Sequence, residues 1–304
     1  MGEMLFLNLL LLTFNASASE GPWTAPKGVH NIYLGLYGEQ FRCFEAEGKQ
    51  SADCASGLPA SSSVRQAGLK VFYRYGIGKN WDFAVAAPFA RSFVGDQGSS
   101  EMEKPTVGVG LLESRVRRRL GQTGPLDWSA SAGVRTGIFH HDTRGRLTNL
   151  GEGTTDLAAT VSTGTTGLLG SRFYTTSLDT NYYYRLPLQE DDLLGGIPGD
   201  ELRVSAVFDY AATSRIGVGL TLDAFHRLSG ADLNFGQIAK FGEDRWAALQ
   251  ASQAKFGGRI MMYPQGAVPY LQLGVQRAVW ARNNPTDTTF VEVAMGTDFG
   301  SKKP

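Results

Sequence analysis

Apolar and polar residues alternate with period two from about residue 29 to residue 299, and no amphipathic helical segment of comparable length interrupts them. The stretch "LKVFYRYGIGKNWDFAVAAPF" at 69 to 89 shows the pattern clearly. Leu69, Val71, Tyr73, Tyr75 and Ile77 share one face of a predicted strand, and Lys70 and Arg74 share the other. After a Gly-Lys-Asn turn, Trp81, Phe83, Val85, Ala87 and Phe89 fall together, with Asp82 and several alanines opposite. The chain is therefore expected to be all-β, and the question is what covers so many apolar faces.

The same scheme recurs. Val107, Val109 and Leu111 share a parity before the run turns basic at "RVRRR". Trp128, Ala130, Ala132, Val134 and Ile138 oppose Ser129, Ser131 and Arg135, and Leu157, Ala159 and Val161 oppose Asp156, Thr160 and Ser162. Tyr174, Leu178, Tyr182 and Tyr184 oppose Asp179, Asn181 and Arg185. Leu202, Val204, Ala206, Phe208 and Tyr210 oppose Glu201, Arg203, Ser205 and Asp209, and Ile216, Val218, Leu220 and Leu222 oppose Arg215, Thr221 and Asp223. With strands at 29 to 42, 245 to 263, 268 to 281 and 288 to 299, the count is about twelve.

Connections alternate in length. Long ones at 43 to 64, 93 to 105, 139 to 153, 187 to 200 and 228 to 243 are separated by short ones at 77 to 80, 121 to 126, 166 to 170, 211 to 214 and 264 to 267. A soluble sandwich has no reason to sort its loops in this way, whereas an up-and-down transmembrane barrel places long loops outside and tight turns on the periplasmic side. The expectation is an antiparallel β-barrel of about twelve strands over 29 to 299, its apolar face against lipid and its charged face lining a lumen, with both termini periplasmic.

Composition is consistent with that reading without demanding it. The 304 residues carry no net charge, 38 glycines and 17 phenylalanines, with a mean hydropathy of -0.17. No stretch past the N-terminus approaches the ~20 apolar residues of a spanning helix, but a spanning strand needs only about 9–11 residues with one apolar face. "LFLNLLLLTF" at 5 to 14, followed by "NASASE" with Ala16 and Ala18 in a small-x-small pattern, reads as a signal peptide cleaved after Ala18, although "MGEM" lacks the usual positive residue. Residues 19 to 28 then form a short periplasmic segment, and 300 to 304 a C-terminal tail after Phe299. An aromatic at the end of the last strand is similar to the signal read by barrel-assembly machinery, the expected partner alongside outer-membrane lipids. Cys43 and Cys54 lie in one polar loop, where an exported protein would form a local disulfide.

Several phrases resemble a family of Gram-negative outer-membrane transporters, the one grouped under the phenol-degradation MetA pathway and distantly like the long-chain fatty-acid channel. They are "WTAPKG" at 23 to 28, "YRYGIGKNWDFAVAAPF" at 73 to 89, "VGVGLLESRVRRRL" at 107 to 120, "SASAGVRTG" at 129 to 137, "LGEGTTDLAATVSTG" at 150 to 164 and "YYYRL" at 182 to 186. The resemblance implies a barrel that passes hydrophobic or aromatic small molecules and has no catalytic residues. The Asn-Pro-Ala motif of the fatty-acid channel is missing, and the segment before the first strand is too short for that channel's folded plug.

Candidate solute-path residues follow from the polar parity: Arg74, Glu113, Arg115, Arg117, Arg119, Arg135, Asp156, Asp179, Arg185, Arg203, Asp209 and Asp223. Arg115, Arg117 and Arg119 share a strand face and form either a ladder that attracts anions or one side of ion pairs with lumenal carboxylates that rigidify a narrow barrel. The neutral net charge favours the pairing. "HHD" at 140 to 142 places adjacent histidines on opposite faces of an extended chain, so His140 and His141 read as solvated loop residues and no metal or other cofactor is expected. Nor is there a nucleic-acid or phosphate-loop motif.

Two other functions compete with transport. One is a structural or surface-interaction barrel without an open pore, working through the loops at 43 to 64 and 229 to 244. The other is a lipid hydrolase, since outer-membrane phospholipases and lipid A deacylases are also barrels of about twelve strands. The phospholipase Ser-Asn-Gly signature is absent, and His226 with Ser252 is the one crude pair for that chemistry. The chain is expected not to be an enzyme.

Overall fold

A computed structural model describes residues 21–41, 45–46, 49–50, 63–95, 106–136, 154–187, 199–229, 251–263, 269–282 and 286–300. The expected signal peptide, Cys43, Cys54, the 140 to 142 histidine stretch and the C-terminal tail past Gly300 lie outside the described residues, as do 230 to 250.

The barrel strands are β1 (Val29–Phe41), β2 (Ser63–Gly78), β3 (Trp81–Gly95), β4 (Thr106–Val109), β5 (Leu112–Thr123), β6 (Leu126–Thr136), β7 (Thr154–Leu169), β8 (Arg172–Pro187), β9 (Glu201–Ala211), β10 (Ile216–Arg227), β11 (Ser252–Met262), β12 (Tyr270–Arg282) and β13 (Thr289–Gly300). Each pairs antiparallel with its neighbour in sequence, except that β4 and β5 both lie against β3. They are two pieces of one stave, so thirteen segments make twelve staves. The sheet closes through β1, which pairs with β2 on one side and β13 on the other: Tyr33 sits opposite Phe72 in one ladder and Gly296 in the next.

Closure leaves no sheet edge, so every strand's N–H and C=O row finds a partner without water. Side chains then divide cleanly. Leu36, Val161, Leu220, Val275 and Val293 are among the most exposed apolar residues, each at least 46 % accessible, whereas Asp82, Asp156, Asp209 and Arg185 are fully buried. The protein is inside out relative to a soluble domain, with its charges in the interior and its aliphatic side chains on the outside.

The break between β4 and β5 explains why the apolar run at 107 to 111 turns basic. Phe89 pairs with Val109 and Ala86 with Glu113, so three steps along β3 face four along the partner stave. That extra residue is a bulge, and it reverses parity: Val109 shares the outward side of Phe89, while Glu113 and Arg115 turn inward with Ala86 and Ala84. The bulge sits across from Pro88, which has no N–H for the ladder and whose carbonyl accepts a 2.7 Å hydrogen bond from Gly110 N.

Short connections join β2 to β3, β5 to β6, β7 to β8, β9 to β10 and β11 to β12, all at the end of the barrel where β1 begins and β13 ends. Two of these turns use glycine at a positive φ, Gly124 at 59° and Gly170 at 65°, the backbone that tight hairpins demand. Aromatic residues ring the outside of the same end. His30 stacks on Phe299 at 5.0 Å and approaches Tyr75 at 4.7 Å, while the Arg118 guanidinium lies 5.3 Å from the Trp81 ring. Such amphipathic rings mark a membrane-water boundary.

Depth should therefore govern the cost of an outward charge. Leu220→Arg, at mid-height of β10, is expected to destabilise the barrel by about 2–4 kcal/mol, and Ile216→Arg, at the turn end of the same strand, by about 1 kcal/mol or less. Reversible denaturant unfolding in lipid vesicles measures both.

Candidate solute path and its closures

The lumen is filled unevenly, and three structures occupy it. The first is an ion-pair network on the β5 to β9 wall. Each strand there contributes alternate charged or hydroxyl residues to the inside, and closure brings rows from non-adjacent strands within reach. Arg135 Nε donates to Asp156 Oδ2 at 2.7 Å and its Nη1 to Glu201 Oε1 at 3.3 Å, while Arg185 approaches Asp156 from the other side at 3.6 Å. Arg203 joins Glu201 at 3.3 Å. Arg115 pairs with Glu113 and donates to Thr160 Oγ1 at 2.5 Å, Asn181 Oδ1 at 2.6 Å and Tyr183 Oη at 2.6 Å.

Tyr183 is the hub of this network. Its ring lies 3.8 Å from the Arg135 guanidinium carbon, a cation–π contact inside the barrel, and 5.7 Å from that of Arg115. The alternation that sends Tyr182 and Tyr184 outward requires Tyr183 to point inward. Three consecutive tyrosines disguised that one of them belongs to the lumen.

The second structure is a strap. Residues 21 to 28 run through the lumen at the turn end, held by side chains from five strands. Ala25 N donates to Asp82 Oδ2 at 2.9 Å, Gly21 N to Asp179 Oδ2 at 3.4 Å and Trp23 Nε1 to Asp127 Oδ2 at 3.3 Å. Arg117 Nη1 donates to the Gly21 carbonyl at 2.9 Å and the Trp23 carbonyl at 3.4 Å, and Arg74 Nη1 reaches the Trp23 carbonyl at 3.5 Å. Asp82 holds the clamp together, with Arg74 at 3.8 Å and Arg117 at 4.0 Å. Glycine makes room for it: a Cβ on Gly76 would lie 1.9 Å from the Pro26 carbonyl oxygen, and one on Gly164 would lie 3.0 Å from both Pro22 and Trp23. Arg119 pairs with Asp127 below the strap.

The third is an apolar floor beside the strap. Tyr33, Phe72, Met261, Tyr263 and Tyr270 form one buried cluster with Ala84, Ala211 and Ala294, drawing on strands from opposite walls of the barrel. Arg259 lies above it, its Nε donating to Asp209 Oδ1 at 2.8 Å. Above that pair opens a cavity of about 230 Å³ at mid-height, bounded by Tyr37, Lys70, Pro88, Asp223, Phe290 and Glu292.

All twelve charged residues expected on the solute path lie on the lumenal parity. Glu113, Arg115, Arg135, Asp156, Arg185 and Arg203 are gathered in the network; Arg74, Arg117 and Asp179 hold the strap; Arg119 lies at its turn end; Asp209 and Asp223 belong to the floor and the cavity. Of the two readings of the arginine ladder, the geometry realises ion pairing. Lys70 and Glu201 fall on the polar parity of the sequence, whereas Tyr33, Arg259 and Tyr270 lie on staves (β1, β11 and β12) whose inner and outer faces the sequence reading does not separate.

His226 and Ser252 do meet, Nδ1 to Oγ at 2.7 Å across the β10–β11 ladder. Ser252 is fully buried, and among the described residues no carboxylate orients His226, so this pair lacks both the access and the third member that an activated serine needs. No cluster of His, Cys, Asp or Glu suited to a metal ion occurs among the described residues.

This fold and lumen define a transmembrane β-barrel of the outer-membrane type. No protein-family model matches the chain, and no curated protein matches it in sequence. Among solved structures, an outer membrane channel from Pseudomonas putida F1 is similar with a TM-score of 0.65 and 14 % identity, covering 91 % of this chain and 97 % of that one. The toluene transporter TodX of P. putida has a TM-score of 0.44 and 9 % identity over 91 % of each chain, and the NanC porin 0.47 and 8 % over 87 % of this chain and 98 % of its own. The first likeness establishes a shared barrel fold; the other two are remote.

Two outcomes test these closures. Asp156→Asn leaves Arg135 and Arg185 short of their shared anion, and should cost on the order of 3–5 kcal/mol in vesicle unfolding experiments, as breaking a buried pair on one side does. In a background with both native cysteines replaced by serine, Ala25→Cys, buried under the strap's clamp, should resist a small aqueous thiol reagent. Adding Arg117→Gln or Gly76→Val should make it react at least tenfold faster.

Proposed function

We propose that this protein is an outer-membrane channel for small hydrophobic or aromatic molecules, closed at its turn end by the strap of residues 21 to 28 and the tyrosine-rich floor. The cavity at mid-height carries this reading: it is a roughly single-ring volume with both polar and aromatic walls. A barrel of about twelve staves has little interior to spare, which suits selective passage rather than general diffusion. The resemblance of "YRYGIGKNWDFAVAAPF" and its companion phrases to aromatic-compound transporters supports the same substrate class, and the likeness in fold to a Pseudomonas outer membrane channel supports the barrel architecture that the reading needs. The expected export by residues 1 to 18, a periplasmic turn end, a Cys43 to Cys54 disulfide in an external loop and assembly by the barrel-assembly machinery complete the proposal. Arg74, Arg117 and Asp179 serve in it as gate residues, and the Glu113 to Arg203 network as a rigid wall.

Planar-bilayer recording of the refolded protein tests the reading. The native barrel should conduct in small, infrequent steps, and Arg117→Gln, which loosens the strap, should raise the open time or the step at least severalfold. A folded barrel that conducts in neither form is a structural or surface-interaction barrel instead. Release of fatty acid from phospholipid vesicles, abolished by Ser252→Ala, would make it a hydrolase.

A further inference from the structure

The cavity distinguishes among its own cations. Arg259 is matched by Asp209, and Lys255 Nζ sits 3.0 Å from Glu39 Oε1. Lys70 has no such match. Its neighbours across both ladders are Gly35 and Pro88, neither of which offers a polar side chain, and on its own strand the adjacent inward positions are Gly68 and Phe72. Among the described residues Lys70 forms no ion pair, yet its side chain lines the cavity.

The acids of the same cavity are engaged elsewhere. Asp223 accepts from Ser205 Oγ at 3.0 Å, and Glu292 accepts from Gln272 Nε2 at 3.3 Å and leans over Gly35, where an added Cβ would meet its Oε1 at 2.8 Å. Above them Tyr37 stacks on Phe290 with ring centroids 5.8 Å apart, and Pro88 supplies a flat apolar wall next to Lys70. An apolar cavity of about 150 Å³ accepts benzene. One of about 230 Å³ accommodates a ring with one compact substituent.

We infer that the mid-lumen cavity is a binding site for a single-ring aromatic monocarboxylate, its carboxylate on the Lys70 ammonium and its ring against Pro88 and the Tyr37–Phe290 pair. The charge pattern selects one negative charge. A neutral ring leaves Lys70 without its anion, and a second carboxylate meets Asp223 and Glu292. Partial burial of Lys70 strengthens a charge-assisted contact that would be weak at a fully solvated surface. The assignment rests on the channel reading for its role as a solute station, but binding at the site is measured independently of conductance.

The test is equilibrium titration of the detergent-solubilised barrel with benzoate, benzyl alcohol and acetate, read by calorimetry. Benzoate should bind at least tenfold more tightly than either of the others. Lys70→Gln should lose at least tenfold in benzoate affinity while its affinity for benzyl alcohol stays unchanged, and Lys70→Arg should restore most of the loss. Strand circular dichroism identical to the native protein's establishes that the variants are folded. Equal binding of benzoate and benzyl alcohol, equal binding of acetate, or a Lys70→Gln barrel with native benzoate affinity would each overturn the assignment. Benzoate binding without any conductance would uphold the site and remove the channel.

Discussion

The whole architecture depends on one constraint: within hydrocarbon no backbone N–H or C=O can be left to water. Among the described residues no helix is long and apolar enough to cross a membrane, and the constraint is met by closing the sheet: β1 accepts β13 on one side and β2 on the other so that no edge remains. Once closure is fixed, the pleat decides everything else. Successive residues must face lipid and lumen in turn, so any polar residue on a spanning segment is either inside or costly. The lumen therefore collects the ionisable groups that a soluble protein of this composition would spread over its surface.

Collecting them creates a second problem, because charges in a narrow, poorly hydrated interior need partners. The β5 to β9 wall meets it with shared ions. Asp156 lies between Arg135 and Arg185, Glu201 between Arg135 and Arg203, and Tyr183 beside two guanidinium groups. Asp156, Glu201 and Arg135 each serve two partners, so the wall is cross-linked around the barrel as well as along its strands. The strap exploits the same economy. Its backbone carbonyls satisfy Arg117 and Arg74, its amides satisfy Asp82 and Asp179, and the segment becomes a removable part of a polar network with no hydrophobic core of its own.

Most of the fold was legible in the sequence because a period of two carries face and strand in the same signal. The outward sets at 69 to 77, 81 to 89, 157 to 161 and 216 to 222 follow directly from it. What alternation does not carry is a change of parity. The bulge opposite Pro88 inserts a single residue, and from the sequence it reads only as an apolar run that turns basic. Nor does alternation say which lumenal rows meet, since that depends on the stagger accumulated around the closed sheet. Arg115 finds Thr160, Asn181 and Tyr183 from strands two and three staves away, and nothing in their spacing along the chain announces it. The strap was harder still: "GPWTAPKG" has neither alternation nor charge excess, and its docking is written in the residues that receive it, among them Gly76 and Gly164.

These two kinds of lumenal contact divide the work between permanence and release. Side chain to side chain pairs in the network join staves that never separate, so strengthening them only stiffens the barrel. Contacts between the strap and the wall join the barrel to a segment that runs into β1 past the Gly28 to Gly76 hydrogen bond. Undocking that segment breaks a few charge-assisted bonds whose wall-side members, Asp82 with Arg74 and Arg117, remain within 4.0 Å of one another. In the proposed channel those wall charges are then still matched after the strap has left, which keeps the open arrangement from stranding a buried ion. A closure built on an apolar plug would lack that property, because its removal exposes surface with no compensating partner. The pairing of Asp82 with both arginines is thus what suits the polar strap to the gating role proposed for it.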